Sequence, residues 1–320
     1  MKKYAIGVDL GGSNLRVGVV TKDGEVMERA KEPSNVSEGV EAVVNRLVNQ
    51  LKERVRYAGK GLCGIGVAVP GVVEHASGIV ASAPNLPGWK NVPLLEMLQN
   101  ELNVPVEIEN DSNAFALGEK WAGAGESFNS FIGITLGTGI GGGVMVDGRL
   151  VRGADGMAGE VGHMTVSLDG PHCNCGNNGC LETYSSARGI ADRMREAIEA
   201  GGKSLLYKET GGNLYKINAE MVYNAAREGG DPLARNVMRK MGTYLGVGVA
   251  NLVHLLNPEA VIIGGGVAAA WDIFADTVQK EVEKRCFEKP AKRVKICRGI
   301  LGDDAAIIGM ARVVFDAQNS

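Results

Sequence analysis

Three cysteines fall within eight positions in "CNCGNNGC", residues 173 to 180, in a chain that holds six cysteines among 320 residues. His163 lies ten residues before the first of them, in "GADGMAGEVGHMTV", three positions after Glu160. One imidazole and three thiolates form a donor set suited to a closed tetrahedral zinc site, with His163, Cys173, Cys175 and Cys180 as ligands. The Cys-x-Cys spacing differs from the paired Cys-x-x-Cys of zinc ribbons, so ordinary reduced thiols are the competing reading. Gly176 and Gly179 permit the tight turn such ligands require. Four protein ligands leave no open position for water, so the zinc would be structural. It would fix the loop that carries Glu160 and, two residues after the last cysteine, Glu182. Glutamate and histidine can both hydrogen-bond sugar hydroxyls.

A second kind of chemistry is suggested by "ENDSNAFALGE", where Glu109 and Asp111 flank Asn110 as a strand gives way to a helix. A carboxylate there can accept a hydroxyl proton and aim the oxygen at a γ-phosphate. The competing reading is structural, with Asp111 or Ser112 serving as the helix N-cap. A third kind comes from glycine. "GVDLGGSNLRVGVV" (7–20) and "GITLGTGIGGGVMV" (133–146) align at a constant offset of 126, each a strand, a glycine turn and a strand leading to an Asp-Gly turn. "IIGGGVA" adds another glycine cluster at a strand end. Backbone N–H groups in such loops can face a phosphate because no Cβ blocks the approach. Neither hairpin carries a P-loop lysine or a strand-GxGxxG-helix fingerprint. Two hairpins gripping a polyphosphate is one reading, with Asp9 holding Mg²⁺; plain structural turns is the other.

These groups need elements to position them. The first glycine motif sits in a hairpin, followed by an amphipathic helix with Val40, Val43, Val44, Leu47, Val48, Leu51 and Val55 on one stripe. "GLCGIGVAVPG" reads as a buried strand, and "VPVEIENDSNAFALGEKWAG" as a strand running into a helix. The last third is mostly helical, with a long apolar helix ending near Pro258, a buried strand before the glycines at 264–266, a further strand in "RVKICRGIL" and a final alanine-rich helix. Strands alternating with helices predict an α/β fold, and the repeated hairpin predicts a duplicated core.

Bulk properties narrow the partners. Hydrophobic residues make up 45% and charged residues 22%, ordinary for a globular protein. With 34 basic against 37 acidic residues there is no electrostatic footprint for nucleic acid or an anionic membrane. No signal-peptide h-region and no apolar run of spanning length is present, so a cytoplasmic protein is expected, where stable disulfides are disfavoured. Cys63, Cys286 and Cys297 read as isolated residues.

Together these motifs resemble the ROK family, which includes sugar kinases, sugar-responsive repressors and uncharacterised open reading frames. "DLGGSNLR", "ENDSNAFALGE", "LGTGIGGG", "GADGMAGEVGH" and "CNCGNNGCLE" stand in the family's order along nearly the whole chain. The resemblance implies a two-lobed actin-like (ribonuclease H-like) fold of α/β lobes that binds ATP with Mg²⁺ and phosphorylates a hexose, glucose before the others, with a structural Zn²⁺. Asp111 would be the general base, and Asn85, Asn110, Asp111, Glu160, His163 and Glu182 would contact the sugar. Asp9, Gly11, Gly12, Ser13, Gly137, Thr138 and Gly139 would hold the phosphates, with Gly265 and Gly266 on the adenosine side. Ser13 stands where many members have threonine, and Ser112 and Phe115 where alanine is usual.

The hairpin repeat suggests a smaller lobe of residues 1–110 plus 302–320 and a larger lobe of 111–301. Fructose, mannose, allose and N-acetylhexosamines are alternative acceptors, and polyphosphate an alternative donor. A sugar-sensing repressor would carry a helix-turn-helix ahead of the first phosphate motif, and eight residues before Asp9 are too few for one. An actin-like filament ATPase would have no use for the sugar motifs. A homo-oligomer, dimer or tetramer, is expected.

Overall fold

The computed structural model describes residues 2–228 and 230–318. The chain divides into two compact units: unit one comprises Met1–Gly133, Gly143–Gly159 and Gly299–Ser320, and unit two Ile134–Gly142 and Glu160–Arg298.

Unit one is organised on β1 (Tyr4–Leu10), β2 (Asn14–Thr21), β3 (Val26–Pro33), β4 (Leu62–Val69) and β8 (Val106–Asn110), in the order β3-β2-β1-β4-β8. β1 and β2 form the expected antiparallel hairpin, and its register sets Asp9 directly opposite Arg16. Side chains alternate across the sheet. On one face Ile6, Val8, Leu10, Ile65 and Val67 pack with the apolar stripe of α1 (Val40–Ala58) and with Leu94 and Leu98 of α2 (Leu94–Leu102). On the other, Ala5, Val20 and Cys63 meet Ile307, Ala311 and Val314 of α11 (Ala305–Ala317). α3 (Asp111–Ala122) lies along α11 at backbone contact distance. A Cβ on Gly309 would fall 1.9 Å from the carbonyl oxygen of Ala114, and one on Gly118 2.0 Å from that of Ala305.

This packing accounts for where α3 belongs. A boundary at residue 110 would separate α3 from the first lobe, whereas the structure gathers 111–133, 143–159 and 299–301 into unit one with α11. A second difference concerns the helix start. The N-cap is Asn110, not Asp111 or Ser112: its side-chain oxygen accepts the N–H groups of Ser112 and Asn113 at 2.9 and 3.1 Å. Asp111 is therefore the first helical residue, and its carboxylate is not the cap.

The second sheet consists of β9 (Phe131–Leu136), β10 (Ile140–Val146), β11 (Arg149–Val151), β12 (Ala260–Gly264) and β13 (Lys295–Arg298), in the order β11-β10-β9-β12-β13. It repeats the first sheet strand for strand: a three-strand meander whose first member pairs with a later strand, which pairs in turn with the last. The duplicated core foreshadowed by the 126-residue offset is thus present, in the actin-like (ribonuclease H-like) arrangement. The chain passes from unit one to unit two within β9 and returns within β10.

Three short strands had no counterpart in the hydrophobic pattern: β5 (Val72–Glu74), β6 (Ile79–Ser82) and β7 (Lys90–Val92), which form a small sheet in the order β5-β6-β7. Strands of three or four residues are too short for a period-2 signal. The turn after β6 carries Asn85, fixed by Leu86 (1% exposed) and Trp89 (3% exposed) beneath it.

Unit two is largely helical, with α4 (Glu182–Ser185), α5 (Ala187–Glu199), α6 (Leu205–Glu209), α7 (Ala219–Arg227), α8 (Pro232–Leu256), α9 (Trp271–Arg285) and α10 (Glu288–Arg293). α8 is the long apolar helix. Buried Asp231 caps it by accepting the N–H groups of Leu233 and Ala234, and also binds Ser204 Oγ and the N–H of Leu205. Asn257 in the left-handed region ends it one residue before Pro258. Among the described residues, no helix is long and apolar enough to cross a membrane.

Candidate active site

In unit one the cross-strand pair of β1 and β2 becomes an ion pair, Arg16 Nη1 to Asp9 Oδ2 at 2.8 Å. The other guanidinium nitrogen reaches Asp303 Oδ1 at 3.1 Å, and Lys31 Nζ reaches Asp303 Oδ2 at 3.2 Å. Burial pushes the Asp9 carboxyl up to about 6; Arg16 opposes this, while the negative charges of Asp111 and Asp303 add to it. The carboxylate of Asp111 therefore acts on the one at the end of β1, so the strand–helix motif and the first glycine motif meet in one place. The glycine turn itself is closed by the Gly11 N–H donating to Asn14 O at 2.9 Å. Gly12 faces the turn of Asn85: a Cβ on Gly12 would lie 3.1 Å from the Asn85 carbonyl oxygen.

Asp111 Oδ1 accepts the Ser112 N–H at 2.8 Å and the Ser112 hydroxyl at 3.2 Å, a bond that alanine at 112 lacks. Asn110, besides capping α3, donates its amide to Gly71 O at 3.0 Å. Phe115 points away from this end. It is buried against Gly133 and Gly299, so its bulk is absorbed by glycines and does not narrow the neighbourhood of Asp111.

In unit two the second glycine hairpin closes with the Gly137 N–H donating to Gly139 O at 2.9 Å. Gly265, at φ 84° after β12, packs on Leu136 at the base of this hairpin, which brings the third glycine cluster beside it. Glu182 docks on the hairpin from the far side. Its Oε2 accepts the Ile140 N–H at 2.8 Å, and a Cβ on Gly139 would come within 2.4 Å of that oxygen. Glu160, His163 and Glu182 form one electrostatic group: burial raises the Glu160 carboxyl, His163 lowers it and Glu182 raises it further.

His163 joins this group to the cysteines. Its Nε2 lies 3.9 Å from Glu160 Oε2, and its Nδ1 lies 3.6 Å from Cys173 Sγ. Cys175 Sγ and Cys180 Sγ are 3.7 Å apart, and one ligand atom from each of the four residues falls within 4.8 Å of the others. Zinc–thiolate bonds of about 2.3 Å in a tetrahedron imply ligand–ligand edges of about 3.8 Å, so this donor set fits that metal in spacing and in softness. Burial and the neighbouring thiols push the Cys180 thiol up to about 12. The loop turns at Gly176 (φ 92°) and Gly179 (φ 65°), conformations that side chains rarely adopt.

The sequence motifs therefore assemble into two sets, Asp9, Gly11, Gly12, Asn85, Asn110 and Asp111 in unit one, and Gly137, Gly139, Glu160, His163, Glu182, Gly265 and the cysteines in unit two. Several supporting residues went unread in the sequence. Arg16 was detectable, since hairpin register places it opposite Asp9. Asp303 and Arg152, whose Nε donates to Glu109 Oε2 at 2.8 Å, were not, because each reaches its partner from a distant part of the chain. Glu119, wholly buried, accepts the N–H groups of Ala124, Ile300 and Leu301 and ties the end of α3 to the segment leading to Asp303.

Known proteins are similar to this chain in sequence and in fold. The chain is 38% identical over 313 residues to a glucokinase of Thermotoga maritima, covering 98% of each. It is 35% identical to a xylose repressor of Caldicellulosiruptor bescii, over 97% of this chain and 78% of the repressor. Among solved structures, a ROK family glucokinase from Streptomyces griseus in complex with glucose and AMPPNP superimposes with a TM-score of 0.85 at 31% identity, covering 98% of this chain and 99% of the other. The sequence pattern of the ROK family matches residues 5–317, and the chain belongs to that family.

Proposed function

We propose that the protein is an ATP-dependent hexose kinase that converts glucose to glucose 6-phosphate in the cytoplasm. The observation that carries this reading is the closeness of Asp111 to Asp9 at the first glycine motif: the parallel register of β1, β4 and β8 sets Asp9, Ala68 and Glu109 side by side, so a base at Asp111 would stand beside a turn able to take phosphate. The similarity to glucokinases along the full chain supports the same reading.

In this mechanism Asp111 takes the proton of the sugar 6-hydroxyl as that oxygen attacks the γ-phosphorus of ATP. Phosphoryl transfer asks mainly for positioning and charge stabilisation, so the remaining groups orient and neutralise. Asn85, Asn110, Glu160, His163 and Glu182 hold the hexose. The hairpin turns at 11–13 and 137–139 offer N–H groups to the phosphates, and Gly265 and Gly266 leave room on the adenosine side. Asp9 would hold Mg²⁺, which supplies neutralisation of phosphate charge. His163, Cys173, Cys175 and Cys180 would hold Zn²⁺, which supplies rigidity to the loop bearing Glu160.

A coupled ADP-release assay over a panel of hexoses, with bound zinc measured on the same preparation, tests the reading. Robust turnover of glucose over fructose, mannose and N-acetylhexosamines is the expected outcome. Failure to phosphorylate any sugar with ATP or polyphosphate would instead favour a sugar sensor, in line with the xylose repressor relative.

A further inference from the structure

The proposed reaction assigns no role to the ion pair of unit one formed by buried Glu109 and partly exposed Arg152. Glu109 is 3% exposed, and its carboxylate is bonded on both oxygens. Oε1 accepts the Asn110 N–H and the Asn113 side-chain N–H, each at 2.9 Å. Oε2 accepts from Arg152 Nε at 2.8 Å, with His75 Nδ1 4.0 Å away. Glu109 thus grips residues 110 and 113, on either side of Asp111, and Arg152 grips Glu109. Arg152 is itself held in a turn, its carbonyl accepting the Ala158 N–H at 3.0 Å.

We propose that Glu109 and Arg152 are positioning residues that set the carboxylate of Asp111 for proton abstraction. The inference rests on the reading of Asp111 as the base. Its physical basis is the cost of an unpaired buried charge. Without Arg152, Oε2 loses its cation, and the carboxylate must turn toward water or toward His75. Because Oε1 holds both Asn110 and Asn113, that rotation pulls on the first turn of α3 and displaces Asp111. Small misplacements of a reacting group cost large factors in rate.

The test compares Arg152→Met, Glu109→Gln and the double variant with wild type in kcat, glucose Kd and melting temperature. Each single variant is expected to lower kcat roughly 10- to 100-fold: in Arg152→Met the unpaired carboxylate turns, and in Glu109→Gln one amide oxygen cannot serve Arg152, Asn110 and Asn113 together, so Asp111 is mis-aimed. Glucose Kd should change by less than about threefold, since the contacts proposed for Asn85, Glu160, His163 and Glu182 remain. The double variant is expected to recover most of the lost kcat. Its amide oxygen still accepts from Asn110 and Asn113, and no charge is left unpaired. Arg152→Lys, which keeps a cation, is the milder variant should Arg152→Met not fold, and its kcat should fall between wild type and Arg152→Met. Weaker glucose binding in Arg152→Met at unchanged kcat would mean that Arg152 serves the sugar instead, and overturns the proposal. So would losses that add in the double variant, or a lower melting temperature with wild-type kcat. Wild-type protein that phosphorylates no hexose overturns the kinase reading and this inference with it; active wild type with unimpaired single variants overturns the inference alone.

Discussion

Replacing Asp111 with asparagine should separate catalysis from folding, because the helix cap lies on Asn110 and the proposed base on its neighbour. Asn110, not Asp111, caps α3, so Asp111→Asn leaves the cap intact. The amide oxygen can keep the bond from the Ser112 N–H that Oδ1 now accepts at 2.8 Å. What the fold loses is a negative charge at a helix N-terminus, about 0.3–1 kcal/mol, partly offset by relief of its repulsion with Asp9. That corresponds to a melting shift of at most about 2–4 °C. What catalysis should lose is the proposed base, a kind of group that contributes roughly 10²–10⁴-fold, or about 3–5 kcal/mol of transition-state stabilisation. The rate effect is therefore several times the stability effect. Steady-state ADP-release kinetics with glucose and ATP varied, glucose affinity by titration calorimetry and a thermal melt measure all three quantities. A loss of kcat below tenfold, or a fall in glucose affinity as large as the fall in kcat, would refute the assignment of Asp111 as base.

Three further outcomes follow from other parts of the molecule. Asp9→Asn should stabilise the ligand-free protein: a carboxyl raised to about 6 from 3.8 makes the wild-type fold lose stability as pH rises between those values. The gain at pH 7 should be of order 1–3 kcal/mol, alongside weaker MgATP binding; parallel stability curves for the two proteins from pH 4 to 7 would count against it. Gly309→Ala should lower the melting temperature despite alanine's better helix propensity, because its Cβ would meet Ala114 O at 1.9 Å; a net loss above about 2 kcal/mol in denaturant unfolding is expected. Chelation should release one zinc per chain, expose three additional thiols to titration and weaken glucose binding through Glu160, and unchanged thiol reactivity after chelation would argue against a metal held by Cys173, Cys175 and Cys180.

Local chemistry made much of this protein readable from its residues. The β1–β2 hairpin, the stripe of α1, the strand β4, the helix α8 and the cysteine turn all rest on contacts or periodicities a few residues long. The repeated glycine hairpin also announced the duplicated core, because both sheets begin with the same meander. Short strands escaped: β5, β6 and β7 acquire their identity only by pairing with one another. The helix cap was misplaced by one or two residues, since Asn110, Asp111 and Ser112 are all competent caps by type and only backbone geometry selects among them.

By itself the sequence determined which chemistry is available: carboxylates beside glycine turns, a histidine with three thiols, and the order in which they occur. Tertiary structure alone decided what holds them. Arg16 with Asp303, Glu109 with Arg152 and Glu119 with the 299–301 segment join positions 43 to 287 residues apart. Such pairs leave no periodic trace, because a buried charge selects its partner by distance in space and by the loss of water around it, neither of which is written in residue order.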